Sequence, residues 1–200
     1  MKTLIAIIGR SGSGKDSLKN YIKEKYKLRE VVSYTTRPMR DNEVDGREHY
    51  FISKDKMTEL IDNDDLAAYL DMSNPSEEPR SGYEYGSTVD EVLISDMYII
   101  DPSGLDKLKN NIKRKGLNIN VVSIYIKANN EVRKNRIINS DRFKTTEDGE
   151  NEWIRREHNE KHLFDTFEKN EEYDYIVDNS NSLSNALKQI DIIMRKIRTI

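Results

Sequence analysis

The chain has no cysteine, which excludes disulfides and thiolate metal sites and leaves the redox compartment undetermined. It is also poor in apolar residues, with 36% hydrophobic against 34% charged in 200 residues. That balance suits one very soluble domain with insertions, built on a thin core with a wet periphery. Long hydrophobic runs are missing. Leu4-Ile5-Ala6-Ile7-Ile8 is too short for a signal segment or a membrane span, so the expected setting is cytoplasmic, where ATP and GTP are available. No charge sign dominates. A formal net charge of −3 gives no general attraction to nucleic acid or anionic membrane, so any anion site must be local. Of only four prolines, three fall within residues 34–86, and no internal repeat or low-complexity block is visible.

What is present begins with Gly9-Arg10-Ser11-Gly12-Ser13-Gly14-Lys15-Asp16-Ser17. It follows the apolar run 4–8, which reads as a buried strand. Leu18, Ile22 and Tyr26 recur behind it at helical spacing, predicting a helix from about Lys15. Strand, glycine turn and helix N-terminus form the setting of a phosphate-binding loop. The glycines let consecutive N–H groups aim inward, and the helix dipole adds partial positive charge. Lys15 can then reach the terminal phosphates of a nucleoside triphosphate. Gly9, Gly14 and Lys15 fit G-x-x-x-x-G-K, followed by Asp16 where Ser or Thr is usual. A flexible Gly/Ser turn that binds nothing is the competing reading, and the flanking strand and helix argue against it.

Further along, residues 28–33 read as a second strand. Residues 34–86 show little sustained periodicity and read as an insertion folding over the phosphate site. Within it, 49–53 reads as a strand and 54–63 as a helix capped by Ser53, with Met57, Leu60 and Ile61 on one face. Residues 74–82 read as a loop. The pattern then turns regular. Helices are expected at 88–95, 105–115 (closed by Gly116), 130–139, 151–167 and 183–199. Strands are expected at 97–100, 121–126 and 175–177, with a polar, mobile stretch at 140–150 and a solvated connection at 171–174. Alternating strands and helices imply an α/β fold with a parallel sheet and helices on both faces. Ligands of such sheets bind beyond the carboxyl ends of the strands, where Gly9, Ser33 and Asp101 fall.

The second informative stretch is Ser33-Tyr34-Thr35-Thr36-Arg37-Pro38-Met39-Arg40, continuing through Glu43-Val44-Asp45-Gly46 to His49-Tyr50-Phe51. Two arginines on a proline-stiffened turn beside three hydroxyl residues suit a phosphate grip, because Arg makes bidentate bonds that Lys cannot reproduce. A solvated basic turn is the bland alternative.

Residues 33–51 resemble the monophosphate clamp of guanylate kinases, V-S-x-T-T-R-x-x-R-x-x-E-V-x-G. The glycine loop, Tyr83-Glu84-Tyr85-Gly86-Ser87-Thr88 and Asp101 continue the resemblance in order. It covers nearly the whole chain and thins after Asp101. It implies a P-loop NTPase-type core (1–33, 87–137 and 153–200), a monophosphate-binding insertion (34–86) and a lid (about 138–152). Ser33, Arg37, Arg40 and Tyr85 would hold the acceptor phosphate and base, and Ser87 and Asp101 would complete the base pocket. The sequence departs from the family at three places. His49 aligns with the clamp tyrosine, so either Tyr50 takes its place or the contact is altered. Ala68 aligns with the glutamate that reads the base, with Asp71 or Glu84 as possible substitutes. Asp16 replaces the hydroxyl of the magnesium shell, where a carboxylate can also serve.

Arg133, Arg136, Arg142, Arg155 and Arg156 flank the expected lid. Resembling enzymes bring such arginines onto the donor phosphates, where the charge of the transferring phosphoryl must be neutralised without water. Arg136, Arg142 and one of Arg155 and Arg156 are expected there, beside Lys15 and Arg37; solvated helix faces are the alternative. His158 and His162 are spaced i,i+4 but lack a third ligand, and Trp153, Phe164 and Phe167 read as packing. The leading reading is an ATP- and magnesium-dependent nucleoside monophosphate kinase acting on (d)GMP or a related (d)NMP, a monomer or homodimer without nucleic-acid or membrane partners. The alternatives are a kinase for another small acceptor, an inactive binding module of the same fold, and a GTPase switch. The switch reading rests on Asp101-Pro102-Ser103-Gly104 and is opposed by the lack of N-K-x-D.

Overall fold

A computed structural model describes residues 1–72 and 82–198. In chain order its elements are β1 (Lys2–Ile8), α1 (Lys15–Tyr26), β2 (Ser33–Thr35), β3 (His49–Phe51), α2 (Lys54–Asp62), β4 (Leu66–Asp71), β5 (Glu84–Thr88), α3 (Val89–Ile94), β6 (Met97–Ile99), α4 (Pro102–Arg114), β7 (Ile119–Lys127), α5 (Asn130–Ile138), α6 (Thr146–Lys169), β8 (Tyr175–Asp178) and α7 (Leu183–Arg198). One sheet has the order β6-β1-β7-β8 and the other β3-β2-β5-β4. Strands β7 and β8 pair in parallel, as strand–helix–strand alternation requires. Leu4 to Ile8 are all buried, which is why β1 reads as a continuous apolar run rather than an alternating one.

The chain divides into two compact units. One comprises Met1–Leu4, Arg29–Tyr98 and Ser103–Val121; the other comprises Ile5–Leu28, Ile99–Pro102 and Val122–Ile200. The first contains the β3-β2-β5-β4 sheet, with β2 parallel to β3 and antiparallel to β5, and β5 antiparallel to β4. Met57, Leu60 and Leu66 form a small core against Tyr34, Ile52 and Tyr69. Ser53 caps α2 by accepting from Lys56 N. Helix α4 buries Leu105, Leu108 and Ile112, spaced three and four apart on one face. It closes with Gly116 at φ 63°, Gly116 N–H donating to Lys113 O and Leu117 N–H to Ile112 O, the paired bonds of a Schellman stop. In the second unit α1 packs against α7, and Leu18 and Ile22 of α1 are fully buried. Asp191 of α7 accepts from Tyr21, Lys25 and Tyr26 of α1. Among the described residues no helix is long and apolar enough to cross a membrane.

Several expectations need correction. Residues 28–33 do not form a strand of their own. Glu30 makes an isolated bridge to Met97, and the regular strand starts at Ser33 in the other sheet. Strands β4 and β5 lie where little periodicity was visible, because alternation over five or six residues is blurred by a register shift between Leu66 and Ala68. Ile61 is 40% exposed and does not join Met57 and Leu60. Helix α6 begins at Thr146, inside the stretch expected to be mobile. Thr145 caps it by accepting from Asp148 N, and a Cβ on Gly149 would meet Ile138 Cα and O at 2.8 Å, so this glycine allows close packing onto α5. Asp174 is not merely solvated, since it accepts from Ser123 N and Oγ. The loop expected at 74–82 lies almost wholly outside the described residues.

Candidate functional site

The glycine loop connects β1 to α1. Gly12 and Gly14 have φ of 75° and 85°, conformations that a Cβ disfavours. A Cβ on Gly12 would also sit 2.6 Å from Arg133 O. Ser13 N–H donates back to Arg10 O at 3.1 Å. The loop's carbonyls are taken up from behind: Arg136 donates to Gly12 O at 3.2 Å and Ser13 O at 3.1 Å, and Asn179 Nδ2 donates to Ser13 O at 2.8 Å. With these acceptors occupied, and with Ser11 and Ser13 N–H spent on Glu160 and Arg10 O, the donors left for an anion are those of the helix start, the requirement of an anion cradle. Ser13 Oγ and Asn179 Oδ1 are buried without a hydrogen bond, unusual for buried polar atoms.

A cavity of about 270 Å³ opens on this loop, lined among others by Lys15, Asp16, Arg136, Arg142, Phe143 and Arg156. Ser17 at its edge and Asp16 are exposed. Burial is the main influence on Lys15 and pushes its ammonium below its ordinary pKa, opposed by Asp16 and Glu160. Arg156 donates to Ser11 Oγ at 3.2 Å and to Glu152 at 2.6 Å. Arg155, 59% exposed at its side chain, is bound to Glu152 and does not line this cavity. Of that pair, Arg156 is therefore the one at the loop. Arg142 lines the cavity, whereas Arg136 spends three hydrogen bonds on the carbonyls of Gly12, Ser13 and Asn179. Arg10 turns away, paired with Asp165 at 2.7 Å and Glu168 at 2.8 Å and lying over the Phe164 ring. It lines a separate cavity of about 510 Å³. Arg133 is 1% exposed; it donates to Ser11 O and Glu157 and lies over Trp153. Asp101 follows Ile100, whose N–H donates to Ile7 O, at the carboxyl end of the sheet.

Three groups at the loop were given no role there by the sequence, Glu157 and Glu160 reading only as part of a solvated helix face. Glu160 accepts from Ser11 N at 2.9 and 3.1 Å and from Ser11 Oγ, Glu157 holds Arg133, and Asn179 holds Ser13. Only Asn179 carried a signal, its place just past a strand end. The i,i+4 histidines of α6 are both exposed, and no group of three metal-ligating side chains occurs among the described residues.

The clamp residues belong to the first unit and sort by strand alternation. Register pairs Ser33 with His49, Thr35 with Phe51 and Tyr85, and Ser87 with Ala68, putting these residues on one face. Ser33 Oγ meets His49 Nδ1 at 2.8 Å, and the His49 ring stands edge-on to Phe51 and Tyr85. Arg37 is buried and lies over Phe51. It binds Glu43 through two bonds of 2.6 and 2.5 Å. Arg40 gives its backbone N–H to the same carboxylate at 2.9 Å and keeps its side chain exposed. Ser87 Oγ is fully buried with no hydrogen bond, directly across from Ala68. Tyr50 sits on the opposite face, against Tyr34 at 4.8 Å, so it does not stand beside His49. Glu84 and Asp71 share that opposite face, and Glu84 accepts from Tyr69 OH at 2.6 Å.

The family model described as guanylate kinase matches residues 1–197. Curated relatives include guanylate kinases of Bradyrhizobium diazoefficiens, 33% identical over 118 residues (58% of this chain, 50% of the relative), and of Gloeobacter violaceus, 35% identical over 115 residues (56% and 54%). The chain thus spans about half the length of the curated relatives it matches. A crystal structure of guanylate kinase from Anaplasma phagocytophilum superposes with a TM-score of 0.61 at 21% identity, covering 99% of this chain and 85% of that one; at that identity the likeness is one of fold.

Proposed function

Because the chain belongs to the guanylate kinase family, we propose that it transfers the γ-phosphoryl of ATP to GMP or dGMP, giving ADP and the nucleoside diphosphate. The observation that carries this reading is the intact donor loop. Gly12 and Gly14 hold the left-handed turn, the loop carbonyls are tied back, and Lys15, Arg142 and Arg156 line one cavity. An inactive binding module has no need of that arrangement. In this reading the amides of the helix start cradle the donor phosphates and Lys15 reaches the terminal ones, while Arg142 and Arg156 neutralise charge on the transferring group. Arg136 and Arg155 act behind them, Arg136 by shaping the loop and Arg155 by holding Glu152 beside Arg156. Positioning and electrostatics supply the catalysis, with no covalent intermediate.

Mg2+ fits this loop through Asp16, whose exposed carboxylate opens the first turn of α1. Magnesium keeps several waters and takes one or two carboxylates plus phosphate oxygens, and a single exposed carboxylate meets that need. When bound, the ion neutralises phosphate charge. Ser33, Arg37, Arg40, His49 and Tyr85 receive the acceptor phosphate, with Ser87 and Asp101 toward the base. Residues 34–86 serve as the acceptor part and about 138–152 as the lid, in a cytoplasmic protein supplied with ATP. A second reading, an acceptor with another base, is favoured by Ala68 opposite the unpartnered Ser87. A methyl group offers nothing to guanine's N–H donors, and unpaired donors cost discrimination in sites built on hydrogen bonds.

The test is ADP release from ATP and magnesium against a panel of ribo- and deoxynucleoside monophosphates, with Lys15→Met alongside. Turnover of GMP or dGMP is expected, with kcat lowered in the variant by about 10²–10³. Turnover restricted to other bases would establish the second reading. Tight monophosphate binding with no turnover of any acceptor would leave only a binding module.

A further inference from the structure

The acceptor face carries an imidazole, that of His49. His49 Nδ1 is engaged by Ser33 Oγ at 2.8 Å, and among the described residues Nε2 has no hydrogen-bond partner. Strand β2 contributes only Ser33 and Thr35 to this face, and β5 contributes Tyr85 and Ser87. The charges near the ring come from the turn between β2 and β3: Arg37, Glu43 and Arg40. Arg37 and Glu43 cancel through their two-pronged contact, and the exposed Arg40 is offset by Asp45, which bridges to His49 and accepts from Phe51 N at 2.8 Å. A phosphate monoester brings about −1.5 to −2 at pH 7. The face as it stands is under-charged for that ligand.

We propose that His49 binds the acceptor phosphate as the imidazolium, so that seating a nucleoside monophosphate takes up one proton from solvent. The inference rests on the monophosphate kinase reading above and adds a proton to its binding step. The proton goes to Nε2, which then donates to a phosphate oxygen while Nδ1–H donates to Ser33 Oγ. It returns to solvent when the nucleotide leaves. The free face favours the neutral ring, because burial first, and then Arg37, hold the His49 imidazole below its ordinary pKa. A phosphate beside the ring reverses that balance by supplying a close opposite charge.

Calorimetric titration of GMP into the wild-type chain and His49→Gln, in buffers of different ionisation enthalpy between pH 6 and 8, reads the proton directly. Wild type should take up a larger fraction of a proton than the variant. The ratio of their dissociation constants should widen as pH falls, toward the limit of about tenfold per pH unit set by one linked proton. The phosphate's own ionisation enters both titrations and cancels. Nitrogen NMR of the wild-type chain, which has only three histidines, is independent of how well the variant folds. There the His49 signal should move to imidazolium when GMP is added. Equal proton uptake in both proteins, or a His49 ring that stays neutral in the GMP-bound chain, would overturn the proposal and leave the kinase reading standing. If no monophosphate in the panel binds wild type at any pH, both fall together.

Discussion

Glu43 fixes the geometry of the acceptor turn, closing on the buried Arg37 guanidinium and the Arg40 amide at once. Its carboxyl is held at about 2, against an ordinary 4.5, first through its hydrogen bonds with Arg37. The folded chain therefore gives up this proton more readily than the unfolded one. The resulting stability is complete above about pH 4.5 and is lost as pH falls toward about 2. Glu43→Gln should lower the urea-unfolding free energy by about 1–3 kcal/mol at neutral pH, with the gap to wild type closing below pH 4.5. A gap that does not change with pH would disconnect the residue from the acid response. Glu43 was visible in the sequence only as a letter of a motif; its partner became clear once the turn was folded. The same holds for Glu160, which faces Ser11 across 149 positions, a separation that periodicity does not reach. Lys15 and its glycines were legible because their constraint is local, a matter of φ and of what precedes a helix. That His49 and Tyr50 lie on opposite faces became visible only through register, which one sequence does not reveal.

At the scale of elements, the helices were the easier part, since caps and apolar spacing are written within a dozen residues. Ser53 and Gly116 do what their positions predict. The short strands of the first unit were harder: five residues with a register shift carry too little alternation, and pairing partners lie far along the chain. Two glycines separate the structural use of a positive φ from the functional one. Nothing lies within 4 Å of a Cβ on Gly116, so Gly116→Ala should cost only the backbone term, about 1–2 kcal/mol, with nucleotide affinity unchanged. Gly12→Ala meets Arg133 O as well, and should weaken ATP binding severely while the far-UV spectrum stays the same. Equal ATP affinity in the two variants would show that the loop tolerates displacement.

On the scale of the whole molecule, the two units share the chain in alternating segments, so neither is a contiguous piece. The second unit depends on α7, where Ala186, Ile190 and Met194 are buried and Asp191 gathers three donors from α1. A chain ended at residue 181 should lose cooperative thermal unfolding along with ATP binding. A sharp transition in that truncated chain would mean that α1 has another support. The phosphate loop is subject to the same arrangement. Its neighbours Arg133, Arg136, Glu160 and Asn179 follow it by 122 to 166 positions. During synthesis the loop emerges from the ribosome long before the groups that hold its carbonyls. A nascent chain therefore carries the glycine motif in full, yet lacks the groups that shape the loop until Asn179 has been added.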